Sequence, residues 1–166
     1  MTIKEAAVQC LNTGLTGWGM VEFAQKLVHD NMTYSYTHSL DLPRRAFSRG
    51  RGYCWQQAKS LHILLKMLGF QSFLVYAVQN MIPEKLYEGV RIKAHNSGHV
   101  WCRVRIDGTE KDICPGSSGN RPGVLHFTPI SPIKKWNPFV AFGSYWGSLY
   151  VNHKRYKAIQ ALKQKA

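Results

Sequence analysis

The sequence predicts an α+β fold, with helices in the first half of the chain and antiparallel strands in the second. Two segments before residue 70 carry apolar residues at helical spacing, and an Asp107-Gly108 turn between two runs of β-forming residues indicates a hairpin. Loops rich in proline and glycine follow, over about 116 to 138. Because 166 residues is a typical length for one domain, we expect residues 1–166 to form a single domain.

The first helix is predicted from about Gly19 to Asp30. Its apolar positions at helical spacing are Met20, Phe23, Ala24, Leu27 and Val28. A glycine-punctuated loop over 48–53 precedes a second and stronger helical pattern, from Cys54 to about Leu68. Its apolar stripe consists of Ala58, Leu61, Leu64, Leu65 and Leu68. Gly69 is suited to end this helix.

The strands are predicted from runs of β-forming residues. The apolar run from Ser72 to Val78 indicates a buried strand. The hairpin pairs a strand from His99 to Ile106 with a return strand from Thr109 to Ile113.

The rest of the chain gives weaker patterns. A further strand is possible from Val124 to Thr128, and the stretch from Ser144 to Val151 is β-prone. The tail from Arg155 to Lys165 alternates apolar and basic residues in a way that fits an amphipathic helix.

The chain is strongly basic, with 22 Lys and Arg against 9 Asp and Glu and a formal net charge of +13. Such an excess favours acidic partners, which include nucleic acid, anionic lipid and acidic protein surfaces. The basic residues are spread along the chain, however, and specific nucleic-acid recognition needs base contacts as well as charge. An acidic partner is compatible with the charge, but no motif supports one.

The N-terminal residues and the cysteine content of the chain are typical of a protein in a reducing compartment. No apolar run reaches the roughly 18 residues of a transmembrane helix, and the first ten residues do not resemble a secretory signal. Four cysteines are too few for a disulfide scaffold, and none lies in a C-x-x-C pair. We therefore expect free thiols and a cytoplasmic location.

Cys54 is the candidate nucleophile, because it lies at the predicted start of a helix after a glycine-rich loop. The free N–H groups and the positive end of the helix dipole at such a position favour a thiolate and lower its pKa. The same N–H groups can hold an oxyanion when a carbonyl is attacked. The alternative is that Cys54 is a small buried core residue, which is the commoner role of a free cysteine.

A thiol nucleophile needs a base and a group that orients the base. Of the seven histidines, His99 begins a strand whose hairpin partner carries acidic residues. Asp112 is the candidate orienting acid, because Asp107 is better explained as the turn residue. In the simple hairpin register Arg103 faces Asp112, which puts Asp112 on the face of His99 but about 13 Å along the strand. A bulge or kink would be needed to bring the two together.

A family resemblance rests on two segments. Residues 52–58, GYCWQQA, with the leucine stripe, Gly69 and the apolar strand that follow, resemble the nucleophile helix of the transglutaminase-like superfamily. Residues 98–104, GHVWCRV, with the DG turn and the Lys111-Asp112 pair, resemble that family's His-x-Trp strand and its following Asp. The segment 31–34, NMTY, is similar to the helix end and tyrosine that precede the nucleophile. The likeness covers about 21–115.

The resemblance implies a papain-like core in which the nucleophile helix packs on an antiparallel sheet. It implies thiol chemistry on amide bonds, of peptidase, deamidase or transglutaminase type, through a thioester and a triad of Cys54, His99 and Asp112. Hydrolysis is favoured over cross-linking, and a protein, a peptide or a small amide is the expected substrate. The substrate and oxyanion region is assigned to Tyr53, Trp55 and Trp101. No cofactor and no metal are expected.

Three alternatives remain open. An arylamine N-acetyltransferase shares the Cys, His, Asp order, although such chains are usually longer. A zinc site from His99, Cys102 and Cys114 is conceivable, but His99 and Cys102 face opposite sides of their strand. A non-catalytic basic binding module on the same fold is supported by the net charge and by aromatic residues that look exposed. These aromatic residues are Trp136, Tyr145, Trp146 and Tyr150.

Overall fold

The computed structural model describes residues 1–87 and 89–164. The helices are α1 (Ile3–Asn12), α2 (Gly17–Asn31), α3 (Pro43–Arg49), α4 (Cys54–Met67) and α5 (Pro138–Lys163). The longer strands are β3 (Gln71–Ile82), β6 (His95–Ile106) and β7 (Thr109–Ile113). The short strands are β1 (Thr33–Tyr34), β2 (Arg51–Gly52), β4 (Lys85–Tyr87), β5 (Val90–Ile92), β8 (Thr128–Pro129) and β9 (Lys134–Lys135). The predicted α+β class is confirmed.

The central sheet has the strand order β7-β6-β3-β8, and β9 also pairs with β3. The pairs β3–β6 and β6–β7 are antiparallel. The predicted hairpin register is confirmed, since Ile106 pairs with Thr109 and Arg103 pairs with Asp112. Asp107 and Gly108 both have positive φ, as a two-residue turn of this type requires.

The main core lies between the sheet and the helices. Leu61, Leu64 and Leu65 of α4 are fully buried in this core. Alternate residues of β6, including Cys102 and Val104, belong to the same cluster. The other face of the sheet carries a smaller cluster, formed by Val75, Ala77, Ile82, Trp101, Cys114 and Phe127. A long leucine-striped helix on an antiparallel sheet is the arrangement that the sequence predicts.

Two helices were not predicted. In α1, the Thr2 hydroxyl accepts from the N–H of Glu5, and the Glu5 carboxylate accepts from the N–H of Thr2. This T-x-x-E capping box could have revealed the helix, but α1 buries only four residues, which is too short a pattern to detect by periodicity. Helix α3 begins with Pro43 and ends at Gly50, whose φ of +76° suits a helix end.

Two strand predictions were wrong. The stretch from Ser144 to Val151 lies within α5, a helix that starts at the Asn137 cap and Pro138 and runs through these β-prone residues. The segment predicted as a strand from Val124 to Thr128 contributes only the start of β8 at Thr128, and Val124 makes an isolated bridge to Arg121. The predicted tail helix is part of α5, while Lys165 lies outside the described residues. Within the described ranges, no helix is both long enough and apolar enough to cross a bilayer.

Candidate active site

The start of α4 is held in place by buried hydrogen bonds. Gln56 accepts from the backbone N–H of Tyr53 at 3.1 Å. Its amide nitrogen donates to the carbonyls of His38 and Asp41, at 3.1 and 2.8 Å. These three contacts are made by a side chain with no exposed surface, so the first turn of α4 and Cys54 with it are fixed against the preceding loop.

A bulge in β3 shapes the strand segment that carries His99. Ala77 pairs with His99 and Asn80 pairs with Ser97, so β3 has one residue more than β6 between these pairs. The buried Asn80 side chain stabilises this irregularity by donating to the carbonyls of Ala77 and Ser97. Bulges of this kind re-aim side chains near functional sites.

Cys54 and His99 line one cavity of about 600 Å³. The start of α4, the bulged part of β3 and the strand β6 form one side of it, and α5 forms another. Aromatic residues of the lining are Tyr34, Tyr53, Trp55, Tyr76 and Trp136. From α5 come Val140, Gly143, Gly147, Ser148, Val151, Asn152 and Arg155. The lining of the cavity is thus mainly apolar. It includes both Cys54 and His99, the candidate nucleophile and the candidate base from the sequence.

The thiol of Cys54 accepts hydrogen bonds from the backbone N–H groups of Val100 and Trp55. Val100 follows His99, so the sulfur lies against the strand that carries the histidine. Burial nevertheless raises the pKa of Cys54 above its usual value, and these hydrogen bonds offset only part of the effect. The expectation that the helix start lowers this pKa is therefore wrong for the unliganded site, because desolvation is the larger influence.

Tyr34 is a site residue to which sequence reasoning gave no role. It lines the cavity with Cys54, and the backbone N–H of Cys54, the first N–H of α4, acts to lower the pKa of its hydroxyl. Burial raises the pKa of Tyr34 well above its usual value, so this hydroxyl stays protonated and can donate. The signal for it was the tyrosine of the NMTY segment, which the family resemblance already included.

His99 lies in an aromatic and apolar environment. Its ring is 4.4 Å from the Phe127 ring and stacks on Trp101 at 6.1 Å, measured between ring centroids. Burial lowers the pKa of His99 to about 3, and the charges of His126 and Lys85 act in the same direction. His99 is therefore a neutral imidazole near neutral pH.

The partner of His99 is a thiol. The Nε2 atom of His99 lies 3.4 Å from the Sγ atom of Cys114, which is the residue after β7. Burial raises the pKa of Cys114 to about 12, so it is a neutral thiol, and the N–H of Gly116 also donates to its sulfur.

Asp112 is placed away from His99. Both of its carboxylate oxygens accept from Arg103, at 2.7 and 3.0 Å, in a bidentate pair. The β6–β7 register is regular from Cys102 to Ile106, so the bulge or kink that would carry Asp112 to the imidazole is not there. The structure thus brings Cys54 and His99 together but not Asp112, because Asp112 stays opposite Arg103 in the simple register.

Of the three aromatic residues assigned to the substrate region, two line the cavity and one does not. Tyr53 and Trp55 line the cavity, and their rings stack at 6.2 Å. Trp101 has no exposed surface and packs against Phe127 beneath His99. Trp101 therefore supports the imidazole and is not part of the cavity wall.

The three side chains considered as zinc ligands, those of His99, Cys102 and Cys114, do not point to a common site. Cys102 points toward α4, where its thiol donates to the carbonyl of Ala58 at 3.0 Å, whereas Cys114 contacts His99 on the other side of the sheet. Across residues 1–87 and 89–164, no group of three His, Cys, Asp or Glu side chains is arranged to hold a metal ion.

The comparisons with known proteins agree with this geometry. The sequence profile of the Transglutaminase-like superfamily matches residues 7–110, a range that includes Cys54 and His99 and ends before Asp112. No curated protein sequence matches the chain.

Two solved structures share the fold. One is the crystal structure of a TGase, with a TM-score of 0.51 and 18% identity over 72% of this chain and 32% of that one. The other is a candidate cysteine protease from Cytophaga hutchinsonii, with a TM-score of 0.51 and 11% identity over 81% of this chain and 49% of that one. The chain thus spans about a third to a half of these proteins. The profile match covers more than half of the chain, and the chain belongs to the transglutaminase-like superfamily.

Proposed function

We propose that this protein is a thiol-dependent acyl-transfer enzyme that acts on amide bonds, with Cys54 as nucleophile and His99 as base. One observation carries the proposal: the thiol at the start of α4 and the imidazole on β6 line the same apolar cavity. A buried imidazole and a helix-start thiol that line one apolar cavity support nucleophilic catalysis.

The reaction would begin with transfer of the Cys54 proton to His99 as the sulfur attacks the amide carbonyl. Because both groups are neutral at rest, this transfer accompanies the attack and does not precede it. The resulting oxyanion would be held by the backbone N–H of Cys54 and by the Tyr34 hydroxyl. His99 then returns the proton to the leaving amine, and a thioester remains on Cys54.

Water would resolve the thioester. His99 takes one proton from the water as its oxygen attacks the thioester carbonyl, and the sulfur leaves with that proton as the thiol. We propose hydrolysis ahead of transfer to an amine, because water needs no second binding site. Protein glutamines, peptides and small amides are the proposed substrates. All four cysteines are free, which supports the proposed reducing, cytoplasmic setting.

The test is turnover of a panel of peptide and simple amides by wild type and by Cys54→Ala, with ammonia or amine release as the measurement. We expect Cys54→Ala to lose at least about a thousandfold in rate, because the covalent route is gone. Cys10→Ala is the control, since Cys10 is a buried thiol of α1 outside the cavity. Turnover that survives in Cys54→Ala would rule out this assignment.

A non-catalytic basic binding module is the second candidate. The observation in its favour is that exposed aromatic side chains lie along α5, in a chain with a net charge of +13. These side chains are Phe139, Phe142, Trp146 and Tyr150. Under this alternative the amide panel gives no turnover with either protein, and wild type retains RNA or DNA at physiological salt.

A further inference from the structure

We propose that the site binds substrates with an anionic carboxylate, held between Lys85 and Arg155 beside Cys54. This inference rests on the proposed function for its substrate class, since it narrows the amide substrates to those that carry a carboxylate near the reacting carbonyl. The evidence for the carboxylate site itself comes from separate observations on Lys85 and Arg155.

Lys85 and Arg155 lie together at the junction of two cavities. A second cavity of about 290 Å³ adjoins the first, and both are lined by Tyr34, His99 and Arg155. Lys85 lines the second cavity, and its pKa is lowered by burial and by the nearby charge of Arg155. Both cations thus line the second cavity, and Arg155 also lines the cavity that contains Cys54.

The two cations are held by neutral groups. The ammonium of Lys85 lies 4.1 Å from the centroid of the Tyr34 ring. The guanidinium of Arg155 donates to the Ser97 hydroxyl at 3.0 Å and to the Tyr36 hydroxyl. Among residues 1–87 and 89–164, neither cation has a carboxylate partner, whereas the adjacent Glu84 is paired with Arg91 at 2.7 Å.

A pair of half-buried cations with no carboxylate partner in the described part of the chain is costly for the protein unless a ligand supplies the missing charge. The guanidinium offers a planar fork and the ammonium a point charge, which together suit a carboxylate. Both cations also lower the pKa of Cys54, so they lie within electrostatic reach of the reacting sulfur. The anionic group of the ligand would therefore lie close to the carbonyl that Cys54 attacks.

The experiment compares two alkylating reagents of the same size, anionic iodoacetate and neutral iodoacetamide, at Cys54. Both react with the same thiolate, so the ratio of their rates is independent of the thiol pKa. We expect the iodoacetate to iodoacetamide ratio in the folded protein to exceed the ratio for the urea-unfolded chain by about five- to tenfold. Lys85→Gln and Arg155→Gln should each reduce the folded ratio by about threefold or more.

Lys154→Gln is the matched control, because it removes one charge from the same helix at an exposed position next to Arg155. It should leave the ratio unchanged. Arg155→Lys retains the charge and should retain most of the preference, which guards against a loss caused by a disturbed helix. Equal ratios in folded and unfolded protein, or an equal loss in Lys154→Gln, would overturn the carboxylate site.

A second arm tests the substrate class. Succinamate, a carboxylate-bearing amide, should slow alkylation of Cys54 by iodoacetamide, whereas butyramide, a neutral amide of the same chain length, should not. Protection that persists in the Lys85→Gln, Arg155→Gln double variant would contradict the proposal. Alkylation needs no turnover, so failure of the carboxylate site is distinguishable from failure of the enzymatic assignment, which the Cys54→Ala comparison decides.

Discussion

Cys114 is the residue whose role was hardest to foresee. It follows β7 and lies with its sulfur 3.4 Å from Nε2 of His99, where the proposed chemistry needs a group that orients the imidazole. A thiol can fix the ring by a hydrogen bond, but as a neutral group it cannot stabilise an imidazolium by charge. This arrangement agrees with the low pKa of His99, about 3.

We predict that Cys114→Asp raises the pKa of His99, because a carboxylate beside Nε2 favours the protonated ring. A rise of about 1–3 pKa units is expected, measured by NMR titration of the imidazole. The pH dependence of Cys54 alkylation should show a new rise at lower pH, as the charged ring favours the thiolate. Cys114→Ser, which supplies a hydroxyl without charge, should leave the pKa of His99 near its wild-type value.

The matched comparison is Asp112→Asn. Because both Asp112 oxygens are bound by Arg103, this change should leave the pKa of His99 and turnover unaltered and lower the free energy of unfolding by about 1 kcal/mol. A loss of turnover in Asp112→Asn with no effect of Cys114→Asp on the imidazole would restore Asp112 as the orienting acid.

At the scale of elements, the position of Cys54 depends on a tight junction between β2 and α4. A Cβ atom on Gly52 would lie 2.9 Å from Cβ and Oε1 of Gln56 and from Cε of Met32. Gln56 cannot move away without losing its three backbone partners. Glycine is required here for space, and its absence would displace the first turn of α4.

We predict that Gly52→Ala costs about 1–3 kcal/mol of unfolding free energy, as is typical of overpacking. It should also slow alkylation of Cys54 by iodoacetamide and reduce turnover, since the sulfur and the N–H groups of the helix start move together. Urea unfolding and the alkylation rate check the two effects. The control is Gly119→Ala, where a Cβ meets no atom within 4 Å. Equal behaviour of the two variants would show that the junction tolerates a side chain.

Helix α5 shows how an element can complete a site without providing the reacting groups. It supplies a wall of the cavity, including Gly143 and Gly147, and it carries Arg155 to the edge of β6. The Asn152 side chain donates to the Ser39 hydroxyl in the interior, which fixes the helix to the loop before α3. The cavity therefore depends on residues from both halves of the chain.

At the scale of the whole molecule, we propose that residues 1–166 form one domain, because α5 contributes to the same cavity as α4 and β6. Three histidines make its stability depend on pH. Burial lowers the pKa of His62 to about 4, of His99 to about 3 and of His126 to about 4, whereas an unfolded histidine has a pKa near 6.5.

Because these folded-state pKa values are depressed, the stability they contribute is complete above about pH 6.5 and is lost as the pH falls toward 3–4. The unfolded chain binds protons in this window that the folded chain does not. We predict that the unfolding free energy falls between pH 7 and pH 5, by at most about 1.4 kcal/mol per pH unit for each histidine. Screening by solvent makes the contribution of half-buried His62 smaller.

Urea unfolding at several pH values measures the slope. His62→Gln should make it shallower, while substitution of the exposed His153 by Gln should leave it as in wild type. A slope that is the same in all three proteins would contradict the histidine origin of the acid sensitivity.

Local patterns in the sequence predict several parts of this protein. The stripe from Ala58 to Leu68 predicts α4, the Asp107-Gly108 turn predicts the hairpin and its register, and the order of Cys54 and His99 predicts the site. The helix and the hairpin rest on residues close together in the chain, where helical periodicity or turn chemistry restricts the backbone to one arrangement. The pairing of Cys54 with His99, which lie far apart in the chain, rests on the family resemblance.

The groups that surround Cys54 and His99 could not be predicted from such local patterns, because they depend on contacts between distant segments. The bulge opposite His99, the contact of Cys114 with its ring and the closing of the cavity by α5 all join segments distant in sequence. The pKa of Cys54 likewise depends on burial by these segments, and burial outweighs the local influence of the helix start. Packing sets the electrostatics of the site, and packing is a property of the folded chain as a whole.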